Sequence, residues 1–207
     1  MNSKITKILR NFYNSRKDRV AFIFLGGSAC LSYINNPHDL DIYVVYNNRG
    51  DITQDKQEIL KLREELKEID SRVAIIRQYV EVLNFWKTGI LTFETQLSFI
   101  LPTYIYQTPN YEIICGEDVV GIKNVNIFDI KDRFIQSLKD FMPRIDFYYE
   151  QDEVIIKAIY HTLIGLYMLE NNSYELTKEQ IEVINQAHDG NCSKELYEWI
   201  KDKVSKL

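Results

Sequence analysis

The stretch from Phe22 to Tyr46, FIFLGGSACLSYINNPHDLDIYVVY, decides the fold of this chain. It opens with an apolar run that is typical of a buried strand. The run ends at Gly26-Gly27-Ser28, where glycine lets the backbone turn sharply and approach a ligand closely. We expect a helix to begin at Ser28, a polar turn to follow it, and a second strand to start near Asp39.

Two acidic residues, Asp39 and Asp41, alternate with apolar residues at the start of this second strand. Because strand side chains alternate between the two faces of a sheet, both carboxylates are predicted on one face. Carboxylates this close repel each other unless a cation lies between them, and Mg²⁺ prefers such hard oxygen ligands. A solvated edge strand is the alternative. The apolar residues on both sides favour a central strand, where unpaired carboxylates are costly.

Length and composition indicate a globular protein with room for one large domain or two small ones: 207 residues, 45% hydrophobic and 27% charged. The net charge of -5 argues against nucleic-acid binding and fits a cationic substrate better. Three widely spaced cysteines favour neither a disulfide framework nor a zinc site, so a cytoplasmic location is expected. No segment reads as a signal peptide or a membrane span.

The remaining pattern predicts a mixed α and β fold. Amphipathic helices are expected over residues 3–16 and 55–69, and a short strand is expected over 111–115, closed by Gly116. From residue 127 onward the periodicity is helical, with Thr177 placed to cap one helix. We therefore predict a small mixed sheet with flanking helices in residues 1–120, followed by a C-terminal helical bundle in residues 121–207.

A third carboxylate is expected near Asp39 and Asp41, and the sequence leaves two candidates. If residues 79–85 form the neighbouring strand, Glu81 is the candidate. If the strand is instead SRVAII, starting at Ser71, then Asp70 is the alternative. We favour Glu81.

The order strand, Gly-Gly-Ser, helix, strand with Asp-Leu-Asp, helix, strand resembles the nucleotidyltransferase superfamily typified by DNA polymerase beta. Its signature is Gly-Ser followed about a dozen residues later by two acids flanking one apolar residue. The segments VEVLNF, LTFETQLSFILPTY and VIIKAIYHTLIGLY, which begin at Val80, Leu91 and Val154, are similar to parts of kanamycin-type aminoglycoside nucleotidyltransferases. The resemblance therefore spans most of the chain.

This resemblance implies an enzyme that uses Mg²⁺ and a nucleoside triphosphate, with ATP as the expected donor. Asp39 and Asp41, with Glu81, would hold the metal. Gly27 and Ser28 would bind the terminal phosphates through backbone N–H groups, a hydroxyl and the positive end of a helix.

In the resembling aminoglycoside enzymes, an acid in the helical domain acts as general base and has a basic partner four residues later. LKDFMPRI, which begins at Leu138, matches this spacing through Asp140 and Arg144. Pro143 departs from the pattern, because proline ends or kinks a helix. A surface ion pair is therefore the alternative for these two residues.

The expected activity is transfer of a nucleoside monophosphate, AMP first, to a hydroxyl of a small molecule such as an aminoglycoside-like antibiotic, which would confer antibiotic resistance. One alternative acceptor is protein or RNA, as in toxin-antitoxin pairs. Another alternative is a non-catalytic nucleotide-binding module. Because related enzymes sometimes build the active site across a dimer, a homodimer is an expected assembly.

Overall fold

The computed structural model describes residues 1–83, 111–119, 121, 128–129, 131–132, 134–136, 138–139, 142 and 153–207. The chain divides into two compact units. The first consists of Met1–Ser32, Asn36–Thr88 and Gln107–Val125, and the second of Tyr33–Asn35, Gly89–Tyr106 and Asn126–Leu207. None of the helices in the described ranges has the length and apolarity that a bilayer crossing requires.

The first unit is built on a sheet whose described strands are β1 (Val20–Gly26), β2 (Leu40–Tyr46), β3 (Val73–Tyr79) and β4 (Glu112–Gly116), in the order β3-β2-β1-β4. Strand β1 pairs antiparallel with both β2 and β4, whereas β2 and β3 are parallel. The predicted mixed sheet is therefore confirmed. Strand β2 lies inside the sheet between β1 and β3, as the apolar residues around Asp41 indicated.

In the described part of this unit the α-helices are α1 (Ser3–Asn14), α2 (Ile52–Lys67) and the short α3 (Val80–Leu83). Helices α1 and α2 place their apolar residues on one face of the sheet, as their periodicity predicted. The core of this face consists of buried side chains from both helices and all four strands, among them Ile5, Leu9, Ile23, Ile42, Val44, Leu62, Leu66, Val73 and Ile114. Burial of these side chains, rather than helix propensity, stabilises the two helices.

The second unit is helical in its described C-terminal part, with α4 (Glu153–Asn171), α5 (Lys178–His188) and α6 (Lys194–Ser205). Thr177 caps α5 as predicted: its Oγ1 accepts the Gln180 N–H at 3.2 Å, and its own N–H donates to Gln180 Oε1 at 2.9 Å. This reciprocal capping box satisfies two backbone donors that the helix leaves without partners.

One strand prediction is wrong. The sheet strand β3 is Val73–Tyr79, which corresponds to the alternative SRVAII assignment, and Glu81 lies in helix α3. The apolar residues of YVEVLNF fit either structure by pattern alone. The parallel pairing of β2 with the preceding residues selects the strand.

Candidate active site

The glycine turn follows β1 directly. Gly27 has a φ of +68°, in the left-handed region that favours glycine, and a single 3₁₀ turn at Ser28–Cys30 comes next. The Cys30 N–H donates to the Gly27 carbonyl at 3.1 Å, and the turn ends in extended backbone at Leu31. The α-helix predicted from Ser28 is therefore wrong, so this segment offers backbone N–H groups but not the dipole of a long helix.

Asp41 packs directly against this turn. Strand pairing places Gly26 opposite Asp41. A Cβ atom built on Gly27 would overlap Asp41 Oδ2 and lie 2.9 Å from its Cγ. The carboxylate thus occupies the space that any residue other than glycine would fill. The predicted proximity of Gly27 and Asp41 is confirmed.

Asp39 immediately precedes β2 and is partly buried. Between the two acids, Leu40 donates its N–H to the Arg72 carbonyl at 2.9 Å and packs against the core shared with α1 and α2. Because neighbouring strand residues face opposite sides, Asp41 faces away from that core. Asp39 and Asp41 therefore flank an anchored leucine at the start of β2, at the same end of the strands as the glycine turn.

The sheet face that carries Asp41 is aromatic. The rings of Phe24 and Tyr43 stack with centroids 4.6 Å apart, and Tyr111 contacts Phe24 edge-on at 5.4 Å. A Cβ on Gly26 would lie 2.9 Å from Tyr43 Cε2, so this glycine leaves room for the tyrosine ring. Asp41 thus lies on the same face of the sheet as this stacked aromatic layer, two residues before Tyr43.

Glu81 does not join this site. Asp41 pairs with Ala74, at the start of β3, whereas Glu81 follows the end of the strand at Tyr79. Because a strand rises about 3.3 Å per residue, Ala74 and Tyr79 are roughly 16 Å apart. Glu81 forms an exposed ion pair with Arg49, with Nε and Oε1 at 2.6 Å. The structure therefore separates Glu81 from the two aspartates.

Asp70, the alternative third acid, lies three residues before the start of β3, where Val73 pairs with Leu40 of β2. Its two carboxylate oxygens accept from Arg72 Nε at 3.0 Å and Arg72 Nη2 at 2.8 Å. These hydrogen bonds from Arg72 lower the pKa of Asp70. Asp70 thus lies at the same end of the strands as Asp41, but the guanidinium group of Arg72 already neutralises its charge.

Sequence reasoning gave no role to Glu112. Strand pairing places this residue opposite Leu25, one position before the Gly26 that pairs with Asp41. It is the acidic residue of β4, and its signal in the sequence was a single acid in an otherwise apolar short strand. The structure therefore places Glu112 and Asp41 beside the same end of β1.

The half-buried thiol of Cys30 lies in the glycine turn, at the same end of β1 as Asp41 and Glu112. Burial raises the pKa of Cys30 to about 11, and the carboxylates of Glu112 and Asp41 also raise it, while a backbone hydrogen bond at Glu112 opposes them. Cys30 Sγ donates to the Leu25 carbonyl at 3.2 Å. The thiol thus stays protonated near neutral pH. Burial is the main cause of the raised pKa, and the smaller contributions show that the carboxylates of Glu112 and Asp41 both lie near this thiol.

The carboxylates of Asp39 and Asp41 offer the hard oxygen ligands that a divalent ion prefers, and the Asp41 carboxylate itself fills the space beside Gly27. Asp140, Arg144 and the segment that begins at Leu91 lie outside the described residues. Their predicted roles as general base, charge partner and family-like segment therefore stay predictions.

Comparison with known proteins finds a similar fold among solved structures but no match in sequence. No known protein-family profile matches the chain. No curated protein matches it in sequence. Among solved structures, it is similar to spectinomycin adenyltransferase AAD(9) from Enterococcus faecialis, crystallised with ATP and spectinomycin. The TM-score is 0.56 at 16% identity, over 98% of this chain and 87% of the other. The chain therefore shares the mixed α/β fold of this adenyltransferase, and the predicted fold class is confirmed.

Proposed function

We propose that this chain is a nucleotidyltransferase that moves AMP from ATP to a hydroxyl group of a small antibiotic of the aminoglycoside type. The observation that carries the proposal is the packing of the Asp41 carboxylate into the space left by Gly27. This contact joins the phosphate-binding and metal-binding parts of the sequence pattern. The fold shared with an adenyltransferase supports the same reaction class.

In this reaction the acceptor hydroxyl oxygen forms a bond to the α-phosphorus of ATP. The bond between that phosphorus and the bridging oxygen breaks, and pyrophosphate leaves. Gly27 and Ser28 would bind its phosphate oxygens through backbone N–H groups and the serine hydroxyl. Asp39 and Asp41 would hold Mg²⁺. A bound Mg²⁺ ion would supply charge neutralisation on the phosphate oxygens.

The proton of the acceptor hydroxyl needs a base, and Asp140 with its partner Arg144 stays the proposal for that role. The net charge of -5 supports a cationic acceptor. A kanamycin-type acceptor follows from the sequence resemblance, whereas the structural neighbour contains spectinomycin. Both compounds therefore belong in the first panel.

The homodimer also stays a proposal, to be tested by molar mass in solution.

The test is incubation of the purified protein with Mg²⁺ and ATP labelled at the α-phosphorus, together with aminoglycosides, spectinomycin and lincosamides. We expect the label to move to one of the drugs and pyrophosphate to appear in equal amount. Label on protein or RNA of a cell lysate, with no drug modified, would instead indicate the macromolecular acceptors.

Asp39→Asn is the informative variant, because it removes a metal-binding charge with little change in shape. Asp51→Asn is the matched control. Asp51 Oδ1 accepts the Gln54 N–H at 2.9 Å as the N-cap of α2, and asparagine caps helices equally well. We expect Asp39→Asn to abolish transfer and Asp51→Asn to retain it. Unchanged turnover in Asp39→Asn would refute the proposed metal site.

A further inference from the structure

Three residues of the loop between the glycine turn and Asp39 belong to the second unit. Tyr33–Asn35 is separated from the rest of this loop, which belongs to the first unit. Ile34 is 6% exposed. The chain therefore enters the second unit at Tyr33, shortly after the Ser28–Cys30 turn, and returns to the first unit at Asn36, three residues before Asp39.

Asn185, on helix α5, holds this segment through both ends of its side-chain amide. Its Oδ1 accepts the Asn35 N–H at 3.1 Å, and its Nδ2 donates to the Tyr33 carbonyl at 2.8 Å. The same Nδ2 also donates to the Ile181 carbonyl at 2.9 Å, one turn earlier in α5. Asn185 is 9% exposed. The side chain thus uses both amide hydrogens and its oxygen in a buried position.

These hydrogen bonds are the clear polar anchor of the segment. Burial raises the pKa of Tyr33, and its hydroxyl finds no hydrogen-bond partner within the described part of the chain. Leaving such a hydroxyl without a partner opposes burial of the segment. The backbone hydrogen bonds to Asn185 and the burial of Ile34 offset that cost.

The link from the anchor to the acids is short and stiff. Only Asn36, Pro37 and His38 separate Asn35 from Asp39. Proline fixes its own φ and restricts the residue before it to extended conformations, so Pro37 limits both itself and Asn36. A displacement of Asn35 is therefore transmitted to Asp39 rather than absorbed.

We propose that Asn185 is a positioning residue for the nucleotide site: it holds Tyr33–Asn35 and thereby sets where Asp39 lies relative to the Gly27 turn. The proposal rests on the proposed function, since the consequence concerns metal and nucleotide binding. In this proposal Asn185 acts through its hydrogen bonds to the loop and not through contact with substrate.

The test is Asn185→Ala in the full chain, with Gln186→Ala as the matched control. Gln186 is the next residue of the same helix, has the same amide group and is exposed. Hydrogen exchange of the Asn35 amide reports the anchor, and titration with Mg²⁺ and a non-hydrolysable ATP analogue reports the site. For Asn185→Ala we expect faster exchange at Asn35 and about tenfold weaker nucleotide binding, and for Gln186→Ala neither change.

Asn185→Asp provides a second variant if the alanine variant does not fold. It keeps the volume and the acceptor for the Asn35 N–H, but removes the donor to the Tyr33 carbonyl. Acidification protonates the new carboxyl group and restores one donor. We therefore expect nucleotide binding by this variant, relative to wild type at the same pH, to recover as the pH falls.

The outcomes separate the two proposals. If the wild type and Asn185→Ala bind the ATP analogue equally well although the Asn35 amide exchanges faster in the variant, the positioning role is overturned. The proposed function would still stand. Absence of binding by the wild-type protein would overturn the proposed function, and the positioning role with it. Weaker binding by Asn185→Ala alone supports both.

Discussion

Gly26 and Gly27 are adjacent, yet each leaves room for a different side chain. A Cβ on Gly26 would meet the ring of Tyr43, whereas one on Gly27 would meet the carboxylate of Asp41. Gly27 alone of the two has a positive φ. Gly26 therefore serves the packing of the aromatic face, and Gly27 serves the acidic site.

Gly27→Ala should damage the site more than the fold. The added methyl group overlaps Asp41 Oδ2 at a positive φ, so either the turn or the carboxylate must move. A displacement near 1 Å lowers rates about a hundredfold, and we expect a loss of transfer activity of this size. The strained backbone should cost about 1–3 kcal/mol of the free energy of unfolding, measured by denaturant titration.

Gly50→Ala is the control for this substitution. Gly50 lies in the exposed loop after β2, and the nearest atom to its added Cβ would be Asn48 Oδ1 at 3.3 Å. We expect near wild-type activity and stability for this variant. Equal activity of Gly27→Ala and Gly50→Ala would contradict the role given to the Asp41 contact.

Asp41→Asn should separate activity from stability. The substitution keeps the shape beside Gly27 but removes one of two neighbouring negative charges. We expect transfer activity to fall roughly 1,000-fold, because loss of the metal costs several kcal/mol of transition-state stabilisation. The Tm measured in EDTA should be unchanged or higher, since repulsion from Asp39 is relieved. A parallel loss of Tm and activity would instead indicate a packing role for the carboxylate.

The sequence predicted Gly27 and Asp41 as neighbours because the Gly-Ser turn and the Asp-Leu-Asp strand together resemble the nucleotidyltransferase signature. It did not predict which further acidic residue lies near Asp41, because that assignment needs strand register. Asp41 pairs with Ala74 on β3, so the adjacent strand position carries no charge. Glu112 lies near this end of β1 because it pairs with Leu25. The two residues are far apart in sequence, so no local pattern predicts their pairing.

At the scale of elements, an ion-pair network connects the start of β1 to helix α2. Arg19 Nη2 donates to Asp55 Oδ1 at 2.6 Å and to Glu58 Oε2 at 3.0 Å. Arg16 Nε donates to Glu58 Oε2 at 2.8 Å. Asp55 is 2% exposed and also accepts from the Tyr79 hydroxyl at 3.4 Å. A charged network thus fixes the register of α2 against the sheet, which the apolar pattern alone leaves open.

Arg19→Met should destabilise the first unit. The methionine can fill the same space, but the buried Asp55 carboxylate loses its guanidinium partner. Removal of one member of a buried pair costs about 3–5 kcal/mol, and the partial exposure of Arg19 places our expectation near 2–4 kcal/mol. Denaturant titration measures it. Arg63→Met, at an exposed arginine on helix α2, is the control and should change stability by less than about 0.5 kcal/mol.

Glu58 makes this network sensitive to pH. Burial alone would raise the pKa of Glu58, but hydrogen bonds from Arg16, Gln54 and Arg19 lower it. A carboxyl group with a lowered folded-state pKa stabilises the fold fully above its ordinary value of about 4.3, and this stabilisation is lost as the pH falls through the folded-state value. We therefore expect wild type to lose more stability than Glu58→Gln between about pH 5 and pH 3. Parallel stability curves for the two proteins would contradict this assignment.

At the scale of the whole molecule, the chain passes between the units more than once, so neither unit is a continuous segment. Residues 1–120, predicted from the sequence as one domain, contain Tyr33–Asn35 but not the α5 residue that anchors them. Local periodicity cannot reveal such an exchange of a few residues, because the contact joins positions far apart in sequence. The boundary at residue 120 stays a prediction, and the observed exchange argues for studying the full chain.

Binding of the donor should therefore be measured on the stability of the full chain. A ligand that binds only the folded state adds about 2.7 kcal/mol to the free energy of unfolding at a hundred times its Kd. For a chain of this size each kcal/mol raises the Tm by roughly 2–4 °C, so saturating Mg²⁺ with a non-hydrolysable ATP analogue should raise it by about 5–10 °C. Because Asp39 and Asp41 bind nucleotide through the metal in our proposal, EDTA should remove most of this shift. Asp41→Asn should show little shift even with Mg²⁺. An equal shift in EDTA, or an undiminished shift in Asp41→Asn, would mean that nucleotide binds elsewhere on the molecule.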